Sequence, residues 1–469
     1  MRTGTKIVAT VGPASSDPSV LERMVRAGAD VLRINFSHGD EETRAAALAA
    51  VREVERRLDR PLAVMADLCG PKIRVGKIHG GSVLLGDGAR LSIEREPIEG
   101  SAEAISTTLA ELIDNARPGQ TLLLDDGNIR LKVVEAAAPE RLVCEVDVGG
   151  VLAEGKGIHL PQTELDLPAL TEKDREDASW IAERDFDLVA LSFVQRPEDI
   201  AELRPRLPED VEIVAKIEKA QALSRIEPIV AEADAIMVAR GDLGVEMSLP
   251  QVPVEQKRLV GLCRAAGKPC IVATQMLETM RSHPVPTRAE AADIANAVLD
   301  GADAVMLSAE TAVGKYPVRA VRMMNEIAAA AEAYEREHPS PMRVHCAPAR
   351  TTAALAAAVR EVIAEEDIAA AALYTASGTT AVVLAKQRLP VPILAMSPSL
   401  RRVRQMQLLF GVRPVREPVP EHTREVLAAA ERHLAAMELA GPGERIVALS
   451  GRPLGAPGAT NTLVVHAVG

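Results

Sequence analysis

Three residues, Lys216, Glu218 and Asp242, stand at the ends of two apolar runs, and their types suit one kind of chemistry. The first run reads Val211-Glu-Ile-Val-Ala-Lys-Ile-Glu218 and the second Ala235-Ile-Met-Val-Ala-Arg-Gly-Asp242. Side chains of a strand alternate with period two, so Lys216 and Glu218 share a face. The spacing from Glu218 to Asp242 leaves room for one strand–helix repeat. Two carboxylates and an ammonium at neighbouring strand ends can hold a divalent metal beside an anionic substrate. That points to phosphoryl chemistry without a nucleotide-binding loop motif.

Other polar groups end apolar runs in the same way. Val31-Leu-Arg-Ile-Asn-Phe-Ser-His-Gly39 puts Arg33, Asn35 and Ser37 on one face. Arginine suits bidentate phosphate binding, and the Asn and Ser oxygens suit a cation. The alternative is an ordinary strand exit with a helix cap at Ser37. Asp67 ends another run and calls for a cation if buried, with Lys72 and Arg74 close behind. A hinge salt bridge would use the same three residues. Gly241 allows close backbone approach to an anion beside Asp242, and Thr274 offers a hydroxyl. Lys216 could instead reach solvent, and Glu218 and Asp242 could be plain salt-bridge partners. Ser308 and Glu310 read as caps. Further on, Tyr374-Thr-Ala-Ser-Gly-Thr-Thr-Ala381 is a strand–turn–helix start whose hydroxyls suit either an anion or a cap.

To gather such groups the chain needs strands that end together. Apolar runs at Ile7–Val11, Val31–Phe36, Leu62–Ala66, Leu188–Phe193, Ile213–Ile217, Ala235–Ala239, Cys270–Ala273 and Ala304–Leu307 alternate with amphipathic segments. Eight of them predict an α/β fold, a (β/α)8 TIM barrel, over a doubly wound open sheet, because barrel sites are built from many strand ends at once. The connection from Ala66 to Leu188 is far longer than a strand–helix loop. Short alternating runs there, punctuated by Gly-Asp-Gly, Asp-Gly-Asn and Val-Gly-Gly, predict a small inserted β domain placed to act as a lid. A charged, proline-bearing linker after Tyr334 precedes a separate α/β unit. The expected division is residues 1–70 and 167–340 for the barrel, 71–166 for the β-barrel lid domain and 345–469 for the C-terminal domain.

The 469 residues, 47% of them hydrophobic, suffice for several cores. A net charge of −12 with no basic run, and only 2% aromatic residues, argue against nucleic-acid and anionic-membrane binding. No apolar stretch has the length of a membrane span, and the N-terminus enters a strand without a signal-like apolar region. Cys69, Cys144, Cys263, Cys270 and Cys346 lack CxxC spacing and read as reduced cytosolic thiols.

Taken together, several segments resemble pyruvate kinase. They are Thr5–Ser15, Arg33–Gly39, Ala215–Lys219, Met237–Gly244, Ala273–Leu277, Pro286–Glu290 and Asn296–Asp303, and the resemblance runs over essentially the whole chain. It implies transfer of a phosphoryl group from phosphoenolpyruvate to ADP, giving pyruvate and ATP. By that resemblance Glu218 and Asp242 bind Mg2+ or Mn2+, Lys216 neutralises the phosphoryl group in flight, and Arg33 contacts phosphates. Amides near Gly241 and Asp242, with Thr274, receive the substrate carboxylate, and Thr274 joins the proton relay to pyruvate. Asn35, His38, Arg74 and Lys156 fall at nucleotide contacts. Ser377, Gly378, Thr379 and Thr380 match an effector phosphate loop for a sugar phosphate or AMP, with the 450–458 loop as its cover. A cytoplasmic homotetramer is the implied state.

One departure stands out. Asn35, Ser37 and Asp67 match ligands of a monovalent cation, yet Lys72 occupies a position where potassium-dependent members carry glutamate, and Leu68 one where threonine is common. The expectation is that the Lys72 ammonium supplies the charge of K+, so that K+ is not required. Rival readings are a different metal-dependent barrel enzyme acting on phosphoenolpyruvate or pyruvate, a mutase or aldol lyase, and a catalytically silent phosphometabolite-binding protein.

Overall fold

The computed structural model describes residues 3–137, 140–161, 167–338, 349–454 and 460–469. Cys346, the linker residues Pro339 and Pro341, and the tip of the 450–458 loop lie outside them. Eight parallel strands close into a barrel: Lys6–Val11, Val31–Asn35, Ala63–Asp67, Leu188–Leu191, Glu212–Ile217, Ala235–Ala239, Cys270–Ala273 and Ala304–Leu307. Each pairs with its neighbour in sequence, and the first closes on the eighth through Lys6 opposite Ala304.

Period two sorts their side chains into two cores. Val31, Ala63, Met65, Leu188, Val214, Ala235 and Met237 fill the barrel interior, while Leu32, Ile34, Val64, Ala66, Ile213 and Ala215 pack outward with the surrounding helices. Arg33, Asp67 and Lys216 continue the inward-facing rows. The apolar column therefore ends in a charged layer, at the end where barrels carry their sites. Three strands differ from expectation at this rim: the second stops at Asn35 instead of Phe36. The third extends to Asp67, and the fourth stops at Leu191 because Phe193 takes a left-handed backbone with φ 56°, which a strand cannot accommodate.

Between the third and fourth barrel strands lies a six-stranded sheet with a two-stranded ribbon, Ser82–Leu85 with Gly150–Ala153. Every alternating run expected there lies wholly or largely in a strand. Ala104–Ser106, Gly150–Ala153 and Ile158–His159 add to them. A separate apolar core of Leu91, Ile93, Ile105, Leu122, Leu131 and Val146 holds this unit together.

The C-terminal sheet has five strands in the order Val412–Arg416, Ile393–Ser397, Ile368–Tyr374, Arg445–Gly451, Thr460–Ala467, the last antiparallel. Val412–Arg416 went unread in the sequence because Pro414 sits inside it. Proline is tolerated there because the strand is at the sheet edge. The short helix Leu400–Gln405 docks this unit beneath the barrel. Arg401 pairs with Asp210, Arg402 with Glu212, and Arg404 grips both oxygens of Glu55 at 2.7 and 2.6 Å. Leu408 enters the barrel's interior core, and Lys386 makes a buried ion pair with Asp303. No helix among the described residues is long and apolar enough to cross a membrane.

Candidate active site

Lys216 is the hub of the charged layer. Its ammonium donates to Asp67 Oδ1 at 3.1 Å, lies 3.0 Å from Glu218 Oε1, and donates to Ser192 Oγ at 2.6 Å. Burial works against its charge, but Asp67 and Glu218 hold its pKa well above the ordinary lysine value. Asp67, itself 1% exposed, takes Arg33 Nε on its other oxygen at 2.6 Å. Burial would raise its pKa, yet Arg33 and then Lys216 keep it below the usual carboxylate range. Arg33 also donates to Thr10 Oγ1 at 3.0 Å. Period two made Arg33 and Lys216 legible as inward groups; that both converge on Asp67 follows from barrel closure.

Glu218 and Asp242 come together as the sequence suggested. Burial pushes the Glu218 carboxyl up, and although Lys216 opposes this, Asp242 and Asp67 add to the rise. Asp242 is held low despite burial, chiefly by Lys72 and Lys216. The Asp242 charge raises the cost of ionising buried Glu218, so the pair is a fit for a divalent cation, which would offset that repulsion. Among the described residues no group of three or more His, Cys, Asp or Glu side chains could hold a metal. The remaining oxygens for an ion such as Mg2+ would come from substrate and water, which is its habit.

Lys72 reaches this pair from the inserted domain's hinge: its Nζ lies 3.3 Å from Asp242 Oδ1. It does not pair with Asn35, Ser37 or Asp67. Asn35 Oδ1 accepts the Ser37 amide at 3.1 Å, while the helix after them is capped by Asp40 instead of Ser37. The charge of Lys72 is thus delivered to the carboxylate pair from across the rim.

Thr274 sits in a left-handed backbone, φ 71°, which turns its hydroxyl toward the sixth strand end. Its Oγ1 accepts the Gly241 amide at 2.7 Å and donates to Ala273 O at 2.6 Å. The Gly241 amide, expected to meet a substrate carboxylate, is engaged by Thr274 in this structure. His38 is pushed down by burial and then by Arg74, Arg33 and Lys72, so barrel and insert cations act on one imidazole. Arg74 and Lys156 lie together on the insert: Arg74 pairs with Gly157 in a β-bridge and donates to Gly155 O at 2.8 Å, and Lys156 pairs with Asp125 at 2.7 Å. Glu310 accepts the amides of Ser308 and Leu277 at 2.7 and 3.1 Å, the capping role expected of it.

Sequence reasoning missed Ser192 and Phe193. Phe193 N donates to Glu218 Oε2 at 2.8 Å. The signal was a serine inside the fourth apolar run, Leu188–Phe193. In the C-terminal unit Ser377 and Thr379 hydroxyls lie 3.0 Å apart, and Gly378 turns with φ 86°. Thr380 is different: it is buried and bonds Thr460 Oγ1 at 2.6 Å, tying the loop to the last strand.

The family models for "Pyruvate kinase, barrel domain" and "Pyruvate kinase, alpha/beta domain" match residues 2–321 and 353–466. A pyruvate kinase of Agrobacterium vitis is 44% identical over 98% of this chain and 96% of its own length. One from Mycobacterium tuberculosis is 40% identical over 99% of this chain and 98% of its own. One from Geobacillus stearothermophilus is 40% identical across the whole of this chain and 81% of its own. With both domain models matched in order and such relatives spanning nearly its full length, the chain belongs to the pyruvate kinase family and is a phosphotransferase.

Proposed function

We propose that this enzyme transfers the phosphoryl group of phosphoenolpyruvate to ADP, with Lys216 as the charge that meets the group in flight. The observation that carries this reading is the Lys216 ammonium, buried and held charged between Asp67 and Glu218, with Asp242 beside them. Phosphoryl transfer asks chiefly for positioned positive charge. Glu218 and Asp242 would hold Mg2+ or Mn2+, which when bound supplies charge neutralisation at the phosphoryl oxygens. Arg33 orients phosphate oxygens. Thr274 Oγ1, released from Gly241 N, hands a proton toward the enolpyruvate carbon while that amide takes the carboxylate. Asn35, His38, Arg74 and Lys156 line the nucleotide's approach, the last two moving with residues 71–166 as a lid over the barrel of 1–70 and 167–340. Release of pyruvate in the presence of ADP by purified protein tests the reaction. Pyruvate release without ADP would favour a lyase, and no turnover a silent binder.

Lys72 makes K+ dispensable in this reading, since a fixed ammonium already faces the carboxylate pair. The expected result is full activity with tetramethylammonium in place of K+; a collapse of the rate overturns this part. Residues 345–469 form a regulatory domain in which Ser377, Gly378, Thr379 and Thr380 form the effector phosphate loop, with Thr380 anchoring it to the last strand. A shift in phosphoenolpyruvate affinity on adding a sugar phosphate or AMP is expected, and failure of all of them counts against the loop. A cytoplasmic homotetramer completes the proposal.

A further inference from the structure

Lys216 has three N–H donors, and the described residues engage all three, on Asp67, Glu218 and Ser192. Two of these partners are charged. The third is a neutral hydroxyl, 2% exposed, at the shortest of the three distances. A serine has one proton to give, and Ser192 gives it to Leu68 O at 2.7 Å. Its lone pairs are thereby left to face the ammonium. The next residue completes the arrangement: Phe193, in its left-handed conformation, directs its amide to Glu218 Oε2 at 2.8 Å. One dipeptide thus touches both Lys216 on the fifth strand and Glu218 just past its end.

The dipeptide is locked from behind. A Cβ added at Gly70, where the chain turns into the inserted domain, would lie 2.6 Å from the Phe193 ring and 3.0 Å from Ser192 Cβ. Gly70 itself has φ 68°, so glycine is required on both counts. A left-handed non-glycine residue costs free energy, and such strain persists where surrounding contacts over-determine it.

We infer that the Ser192–Phe193 turn is the positioning element of the phosphoryl site, Ser192 fixing the direction of the Lys216 ammonium and the Phe193 amide fixing one oxygen of Glu218. The inference rests on the phosphoryl role proposed for Lys216. With Asp67 and Ser192 holding two of the ammonium's hydrogens, the third, now on Glu218, is the one available to a phosphoryl oxygen. A cation can take Glu218 Oε1 from the ammonium while Oε2 stays on the Phe193 amide. When it turns to a cation, Asp67 and Ser192 keep the ammonium aimed. Ser192 touches neither reacting atom in this scheme; it acts through Lys216.

The test compares Ser192→Ala, Ser192→Cys and Ser192→Thr. Alanine removes the acceptor, cysteine keeps the volume with a much weaker one, and threonine keeps the hydroxyl. Loss of a hydrogen bond to a charged group predicts a fall in kcat of about ten- to hundredfold for alanine and cysteine. KM for phosphoenolpyruvate should stay within about threefold, the pattern of an interaction spent in the transition state. Threonine should restore most of the rate. Mn2+ affinity, read by electron paramagnetic resonance on protein without substrate, should be unchanged in all three, because the Phe193–Glu218 bond is intact; it also shows that each variant is folded. Cysteine or alanine at wild-type kcat, threonine no better than alanine, or Mn2+ affinity lost in step with the rate would each overturn the inference. A wild-type protein that fails to make pyruvate from phosphoenolpyruvate and ADP would instead remove the reading beneath it.

Discussion

Lys386 lies just after a C-terminal-domain helix and its ammonium meets Asp303, the residue that leads into the eighth barrel strand. The two side chains are 3% and 2% exposed. Asp303 Oδ2 accepts the Cys270 amide at 2.9 Å as well, so the carboxylate has one neutral donor and one charged partner on the same oxygen. Lys386→Met keeps the length of the side chain and removes the charged partner, leaving the buried carboxylate its bond from the Cys270 amide. Breaking a buried pair from one side costs about 3–5 kcal/mol, because the remaining charge stays desolvated. Melting of the whole chain in a scanning calorimeter should therefore fall by about 3–5 °C, with earlier proteolytic release of the C-terminal domain. Adding Asp303→Asn removes the stranded charge and keeps an acceptor for Cys270 N. The double variant should regain more than half of the loss, since replacing both partners of a buried pair is often near neutral. If the double variant melts with the single one, or Lys386→Met costs less than about 1 kcal/mol, the domain junction does not depend on this pair and the reasoning is wrong.

Two further outcomes are expected. Lys216→Met should lower kcat by at least about a thousandfold while leaving the barrel folded by circular dichroism, in line with the loss of a fixed catalytic charge; a loss confined to KM would assign Lys216 to binding alone. Burial pushes Asp187 up to about 6 against the pull of Arg52 and Arg404. A carboxyl whose pKa is raised by folding binds its proton more tightly in the fold than in the unfolded chain, so stability should fall as pH rises from about 4 to about 6, by about 3 kcal/mol in all. Asp187→Asn should flatten that part of the melting curve against pH, and equal slopes would mean that the arginines win.

What the sequence made legible was whatever alternates. Lys216 and Glu218 declared a common face, and eight apolar runs ending in polar groups announced the barrel and its rim. What stayed hidden depends on contacts between distant parts of the chain. That Lys72 would meet Asp242, or Arg33 and Lys216 share Asp67, is settled by strand order and closure and has no local signature. Ser192 was visible only as a serine within a run, because its contacts come from a turn that a left-handed Phe193 creates. Pro414 concealed an edge strand for the opposite reason: a local rule spoke against a structure that the sheet's edge allows. The resemblance to a family supplied the reaction, which no spacing names.

The helix Leu400–Gln405 gives the fifth barrel strand two owners. At its base Glu212 is held by Arg402, a residue of the C-terminal domain, and a Cβ at Gly378 of the hydroxyl-rich loop would come within 2.9 Å of that same arginine side chain. At its tip the strand presents Lys216 to the reacting layer. A strand is a short, stiff rod about 20 Å long, so its two handles cannot be moved independently. The loop at Gly378 and the foot of this strand thus meet on one arginine side chain, at the end opposite Lys216. The strand that carries Lys216 is thus fastened at its lower end by a residue of another domain.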